Sequence, residues 1–193
     1  KTMNPNKKIK LPATLSVAVL LSLFSSCASL PAPEVNDSYR YQNSYPSVGL
    51  NVSDDKNKTN VGSVGLTSFK MEELDVIFSK ILRNDLNSIL KVNVELDYDE
   101  DSRLPYYIDA SIKSCSFVSA DAILDDADGD CSVKVTVRDL TKKIVFTETY
   151  MVSNKMRVSW PSMSKNSKII KDLLQKASLK ICKDPALRQK LGI

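Results

Sequence analysis

The sequence has no histidine, and only five glycines and one tryptophan among its 193 residues. Without histidine the commonest general base and metal ligand is missing, which excludes Ser-His-Asp and Cys-His catalysis and histidine-based zinc sites in their usual forms. No glycine-rich phosphate loop, paired-acid constellation or C-x-x-C motif occurs, and the four cysteines (Cys27, Cys115, Cys131, Cys182) are spaced far from any zinc pattern. The residues imply no catalytic site, no metal and no cofactor, so the chain is expected not to be an enzyme. A long apolar run is also lacking. The most apolar stretch, Leu11 to Phe24, has fourteen residues, and a helix needs about twenty to cross a ~30 Å hydrocarbon core.

That short run has a different use. Lys1, Lys7, Lys8 and Lys10 precede it and Ser25-Ser26 close it, which is the charge, apolar and small-residue order of a secretory signal peptide over residues 1–26. Cys27 follows the expected cut. The segment Leu23-Phe24-Ser25-Ser26-Cys27 resembles the lipobox of bacterial lipoproteins, whose cysteine takes a diacylglycerol on sulfur and a third acyl chain, such as palmitate, on its freed amine. Two or three chains at about 0.8 kcal/mol per buried methylene hold a domain on a bilayer durably, whereas one does not. Cys27 is therefore the expected lipidation site. Ala28 rather than Asp follows it, which by resemblance to Gram-negative sorting points to the outer membrane, with the domain facing the periplasm.

The net charge of +4 belongs to the leader. Residues 1–26 hold four lysines and no acid, leaving 23 basic against 23 acidic side chains, so the surplus that nucleic-acid binding requires is absent. The remaining charge is unevenly placed. Residues 151–193 carry ten basic and two acidic side chains, and this basic end could lie over the acidic body, face anionic headgroups or meet an acidic partner.

Residues 28–46 hold three prolines and no apolar period, so 27–46 read as the lipidated cysteine and a flexible tether. Tyr39, Tyr41 and Tyr45 could dock it on its own domain or on a partner. Residues 47–193 have the length of one globular domain. Val48, Leu50 and Val52 alternate as in a half-buried strand, and 61–66 form a second extended piece. Ser68 is expected to cap a helix reaching about Leu90, with Leu74, Ile77, Phe78, Ile81, Leu82 and Ile89 as its apolar stripe and Asp85 reaching water or a sheet end. Strands are expected at 91–98, 106–118, 130–140 and 143–152, the last two joined by a hairpin at 139–143. In the third, Cys131, Val133, Val135 and Val137 share the dry face. A second helix is expected over 164–182, and Asp184-Pro185 starts a short third. The order predicts an α+β two-layer sandwich, an antiparallel sheet with two main helices on one face.

Three further features invite a functional reading. "DDADGD" at 125–130 places acids around Gly129; it departs from an EF-hand in glycine position and lacks the twelfth-position Glu, so a strand-joining Asp-Gly turn accounts for it. Met156, Trp160 and Met163 gather before the last long helix, and with Lys176 and Lys180 on that helix they form a candidate partner-contact surface. Cys115 and Cys131, if on neighbouring strands, could form a disulfide in the periplasm, leaving one of the three remaining thiols free.

Val48-x-Leu50-x-Val52-x-Asp54-x-Lys56 and Asp184-Pro185-Ala186-Leu187-Arg188 resemble the first strand and C-terminal segment of the YajG-type lipoproteins of Gram-negative bacteria. The resemblance, over residues 47–191, implies a small lipid-anchored α/β module without enzymatic activity. Two functions compete. One is a non-catalytic outer-membrane lipoprotein that binds or scaffolds an envelope protein or lipid, with membrane contact through its N-terminal lipid. The other is an envelope hydrolase or calcium-binding protein built on the acidic segments.

Overall fold

The computed structural model describes residues 27–55, 60–65, 67–96, 98, 102–119, 126–157 and 163–193, and the expected leader lies outside them. In chain order the elements are β1 (Cys27–Ser29), β2 (Ser47–Asp54), β3 (Asn60–Val64), β4 (Thr67–Lys70), α1 (Leu74–Asp85), β5 (Asn93–Leu96), β6 (Tyr106–Ser119), β7 (Asp126–Asp139), β8 (Ile144–Arg157), α2 (Met163–Cys182) and α3 (Pro185–Leu191). A wider π-helical turn, Leu86–Leu90, extends α1.

All eight strands form one sheet with β6 at its centre. One edge of β6 carries β7, and β7 carries β8, both antiparallel. The other edge of β6 is shared end to end: β2 lies parallel to its first half, and β3 parallel to its last residues. Beyond β2 comes β5, parallel; beyond β3 comes β4, antiparallel, and then β1, parallel to β4. The α+β two-layer arrangement is as expected. Its antiparallel part is the β6–β7–β8 meander with the β3/β4 pair. The pairings of β2 are parallel because β3, β4 and α1 carry the chain back before β5 begins, and a parallel pair needs such a crossover.

The alternation in β7 holds throughout: Cys131, Val133, Val135 and Val137 are buried while Lys134 is exposed. On β6 a bulge between Ile112 and Ser114 resets the count, so Ile108, Ala110 and Ile112 and then Cys115 and Phe117 all face the core. Both long helices cover this face. Leu74, Ile77, Phe78, Ile81 and Leu82 come from α1, and Ile169, Ile170, Leu173, Leu174, Ala177 and Ile181 from α2. Each Leu, Ile or Phe side chain among them stabilises the fold by about 1.5–3 kcal/mol when fully buried.

Four local expectations change. Ser68 does not cap a helix, for Thr67–Lys70 is β4, with Thr67 and Phe69 buried and Ser68 and Lys70 turned outward; α1 begins six residues later, behind Glu73 in the left-handed region at φ 59°. The Asp-Gly turn is absent. Asp126, Asp128 and Asp130 are exposed and alternate with buried Ala127 and Gly129 inside β7, so the same spacing that resembles a loop is the two-residue period of a strand. The expected strand at 91–98 shortens to Asn93–Leu96, and the last strand runs on to Arg157. The hairpin, α2 and α3 fall where expected: Asp139 Oδ1 accepts from the Thr141 and Lys143 amides, and Asp184 accepts from the Ala186 amide ahead of Pro185.

The fourth concerns residues 27–46, expected as a flexible tether, which the structure lays against the domain. Leu30 is 5% exposed and its amide donates to Lys70 O at 2.7 Å. Arg83 donates to Asp37 at 2.6 Å and lies 4.5 Å over the Tyr39 ring. Asn93, fully buried, donates to Gln42 O and Tyr45 O and accepts from the Gln42 amide at 2.7, 3.0 and 2.9 Å. Asn87 accepts from the Arg40 amide, and Tyr39 OH accepts from the Val94 amide. The segment is a strap laid along α1 and the start of β5. Side chains distant in sequence satisfy its backbone, so low apolar content did not leave it free. Of the three tyrosines, Tyr39 docks, Tyr45 is half-buried and Tyr41 stays 61% exposed.

Candidate functional site

Cys27 is the first residue of β1 and is exposed. It pairs with Ser68, and Ala28 and Ser29 follow opposite Phe69 and Lys70. The lipidation candidate is therefore part of a sheet edge, at the same end of the sheet as the last residues of β3, β6 and β8.

Two lysines near the C-terminal end of α2 meet a third just past it. Lys176, Lys180 and Lys183 rim an open pocket of about 530 Å³ whose floor is Tyr150, Leu179 and Pro185. The three lysines recur at helical spacing on one face, and Lys180 Nζ donates to Met151 O at 2.9 Å, covering a carbonyl of β8. Among the described residues β8 pairs with β7 alone, which makes it an edge of the sheet, and on it Met151 is 68% exposed. Tyr150 OH donates to Asp184 Oδ2 at 2.5 Å. Burial and the adjacent carboxylate push the Tyr150 hydroxyl well above its usual range, so it stays protonated. Asp184 is engaged by Tyr150 and the Ala186 amide, and the lysines are left to set the sign of the pocket, which suits an anionic group beside an apolar one.

This gathers only part of the expected contact surface. Lys176 and Lys180 come together, but Met163 packs against the core at the opposite end of α2, seventeen residues from Lys180, or about 25 Å along a helix. Met156 pairs through its backbone with Ala127, and Trp160 lies outside the described residues. Lys183 was readable from its spacing. Tyr150, on a strand, carried no signal that would place it there.

Cys115 and Cys131 stand directly opposite one another on β6 and β7 as buried free thiols. A hydrogen bond between them, with burial, pushes the Cys115 thiol well above its usual range. Burial does the same to Cys182. Protonated, buried thiols are poor nucleophiles. Asp85 is half-buried; its Oδ2 accepts from Ser178 at 2.6 Å and Gln175 at 2.8 Å, tying α1 to α2, and burial raises its pKa.

The acidic segment forms no cation cage. Asp126, Asp128 and Asp130 sit two residues apart on a strand, about 7 Å, while calcium draws its oxygens to 2.3–2.6 Å. Asp128 faces Lys155 at 3.9 Å and Asp130 accepts from Ser114 at 3.4 Å. Among the described residues no group of three metal-ligating side chains converges, and no helix is long and apolar enough to cross a membrane.

No protein-family model matches the sequence, and no curated protein matches it. Solved structures share the fold. A Xanthomonas campestris protein described as DUF330 superposes with a TM-score of 0.55 at 9% identity, over 86% of this chain and 97% of that one. An uncharacterized protein gives 0.50 at 13% identity, over 82% and 97%. A minor lipoprotein from Acinetobacter baumannii gives 0.43 at 10% identity, over 72% and 91%. At such identities the first two show a likeness of fold alone.

Proposed function

We propose that the chain is a non-catalytic, lipid-anchored lipoprotein of the outer membrane that serves as a binding or scaffolding accessory in the bacterial envelope, in the manner of the YajG-type lipoproteins it resembles. The observation that carries this reading is Cys27, which directly follows the expected leader of residues 1–26 and is exposed at the start of β1, accessible to an acyl-transferring enzyme. The lysine-rimmed pocket over Tyr150 is the surface for an anionic envelope component. Metabolic labelling with radioactive palmitate, followed by mass spectrometry of the mature N-terminus, tests the anchor. Label in the wild type and none in Cys27→Ser is expected; an unmodified thiol in the wild type, or an uncut leader, overturns the reading. For the pocket, photocrosslinking from position 180 in cells is expected to capture an envelope component, with capture lost in Lys176→Glu/Lys183→Glu.

A further inference from the structure

The way Cys27 is held says how the domain meets its membrane. As free coil, the residues between Cys27 and Ser47 could extend roughly 60 Å and would let the globule turn in any direction. Instead Cys27 is registered in the sheet, and the twenty residues beginning with it are fastened along α1 by Leu30, Asp37, Tyr39, Gln42 and Tyr45. No slack separates the acyl-bearing residue from the folded body.

The registers identify what lies beside it. Cys27 is opposite Ser68, Ser68 opposite Ser63, Ser63 opposite Val118 and Val118 opposite Asp128. Three strand spacings of about 4.8 Å put Val118 some 14 Å from Cys27 along one row. Val118 is 59% exposed, an apolar side chain flanked in that row by Ser63 and Asp128. The exposed apolar residues Leu140 and Ile144 belong to the hairpin at the other end of the sheet, twelve residues along β7 from Asp128, or about 40 Å.

We propose that the end of the sheet bearing Cys27 and Val118 faces the bilayer at headgroup level, and that the β7–β8 hairpin and the lysine-rimmed pocket are thereby held away from it. This rests on the acylation of Cys27 proposed above. The strap sets the orientation: burying acyl chains draws Cys27 to the interface, and the row that includes Val118 must follow. The pocket, near Met151 on β8, stands about 20 Å along the strand from Arg157 at the membrane end, which leaves it open to a partner in the aqueous phase.

The test uses the full chain, matured in cells and purified with its lipid, carrying Val118→Cys or Leu140→Cys labelled with an environment-sensitive fluorophore. The three native thiols after Cys27 are buried, so labelling is selective. In vesicles of phosphatidylethanolamine and phosphatidylglycerol doped with a headgroup-quencher lipid, the label at 118 is expected to be quenched several-fold more than that at 140. A ten-residue Gly-Ser insertion after Cys27 is expected to reduce the difference. Equal quenching at both positions, or stronger quenching at 140, with acylation confirmed by mass spectrometry, overturns this inference while leaving the anchor intact. Shielding of position 118 from aqueous iodide without quenching by lipid means that a second copy covers it, which also overturns the inference. An unmodified Cys27 in the same preparation overturns both readings.

Discussion

The two sides of β6 are built by different means. On one side, β7 and β8 form fourteen-residue ladders joined through a short turn, and each strand pairs with its neighbour in sequence. On the other, β1 to β5 are three to eight residues long, and they are held by parallel pairing everywhere but between β3 and β4 and by side chains reaching across the sequence: Asn93 to Gln42 and Tyr45, Arg83 to Asp37, Asn87 to Arg40. Long antiparallel ladders satisfy their own backbone. Short strands and a strap must borrow donors and acceptors from elsewhere, so single polar side chains there carry weight that no single residue of the meander carries.

The largest break in the short-strand side is expected from Gly62→Ala. Gly62 sits at the β3 bulge with φ +152°, and a Cβ there would lie 2.3 Å from Phe117 O. Backbone strain and a clash with main chain that cannot yield together cost about 3 kcal/mol, read as a lower urea midpoint. Next comes Asn93→Ala, which takes the side-chain partner from Tyr45 O and the Gln42 amide and leaves Gln42 O with the Tyr45 amide alone, and should cost about 2 kcal/mol. If the comparison is right, limited proteolysis after Asn93→Ala cuts within residues 30–46 before it cuts the meander; first cleavage in β7 or β8 would show that the strap does not depend on this clamp.

Asp85 probes the joint between the helices. Burial raises its pKa, so the folded state favours the protonated carboxyl. The stability it contributes is full below about pH 4 and is lost as pH rises through the raised value. Asp85→Asn keeps an acceptor for Ser178 and removes the charge. Its melting curve is expected to match the wild type in acid and to lie above it at neutral pH. The smallest effect separates a strand from a helix start: Ser68→Val should change stability by less than about 0.5 kcal/mol, because β4 accepts a β-branched residue, whereas loss of a helix cap would cost about 1 kcal/mol.

The meander was legible because its signals are local. Alternation at Cys131 to Val137 and the Asp139 turn both act within a few residues, and α2 and α3 announce themselves by an apolar stripe and an Asp-Pro start. The other side was not. Thr67-Ser68-Phe69-Lys70 alternates as a strand does, but four residues next to a strong helical stripe read as the helix's beginning. The strap looked unstructured because the groups that fasten it, Asn87, Asn93 and Arg83, lie about fifty residues away. Of the candidate contact surface, Lys176 and Lys180 were visible from helical spacing, while Tyr150 joins them only because β8 passes beneath the end of α2.

By itself the sequence determined the class of element at most strongly periodic segments, the acylation candidate behind an expected leader, and the absence of histidine, since these depend on residue type and short spacing. Only the tertiary structure decided that β2 runs parallel to β6, that the acids of residues 126–130 belong to a strand, and that Cys27 is fixed to the sheet instead of hanging from a tether. Those outcomes turn on which distant groups satisfy a buried backbone, and no local pattern records that choice.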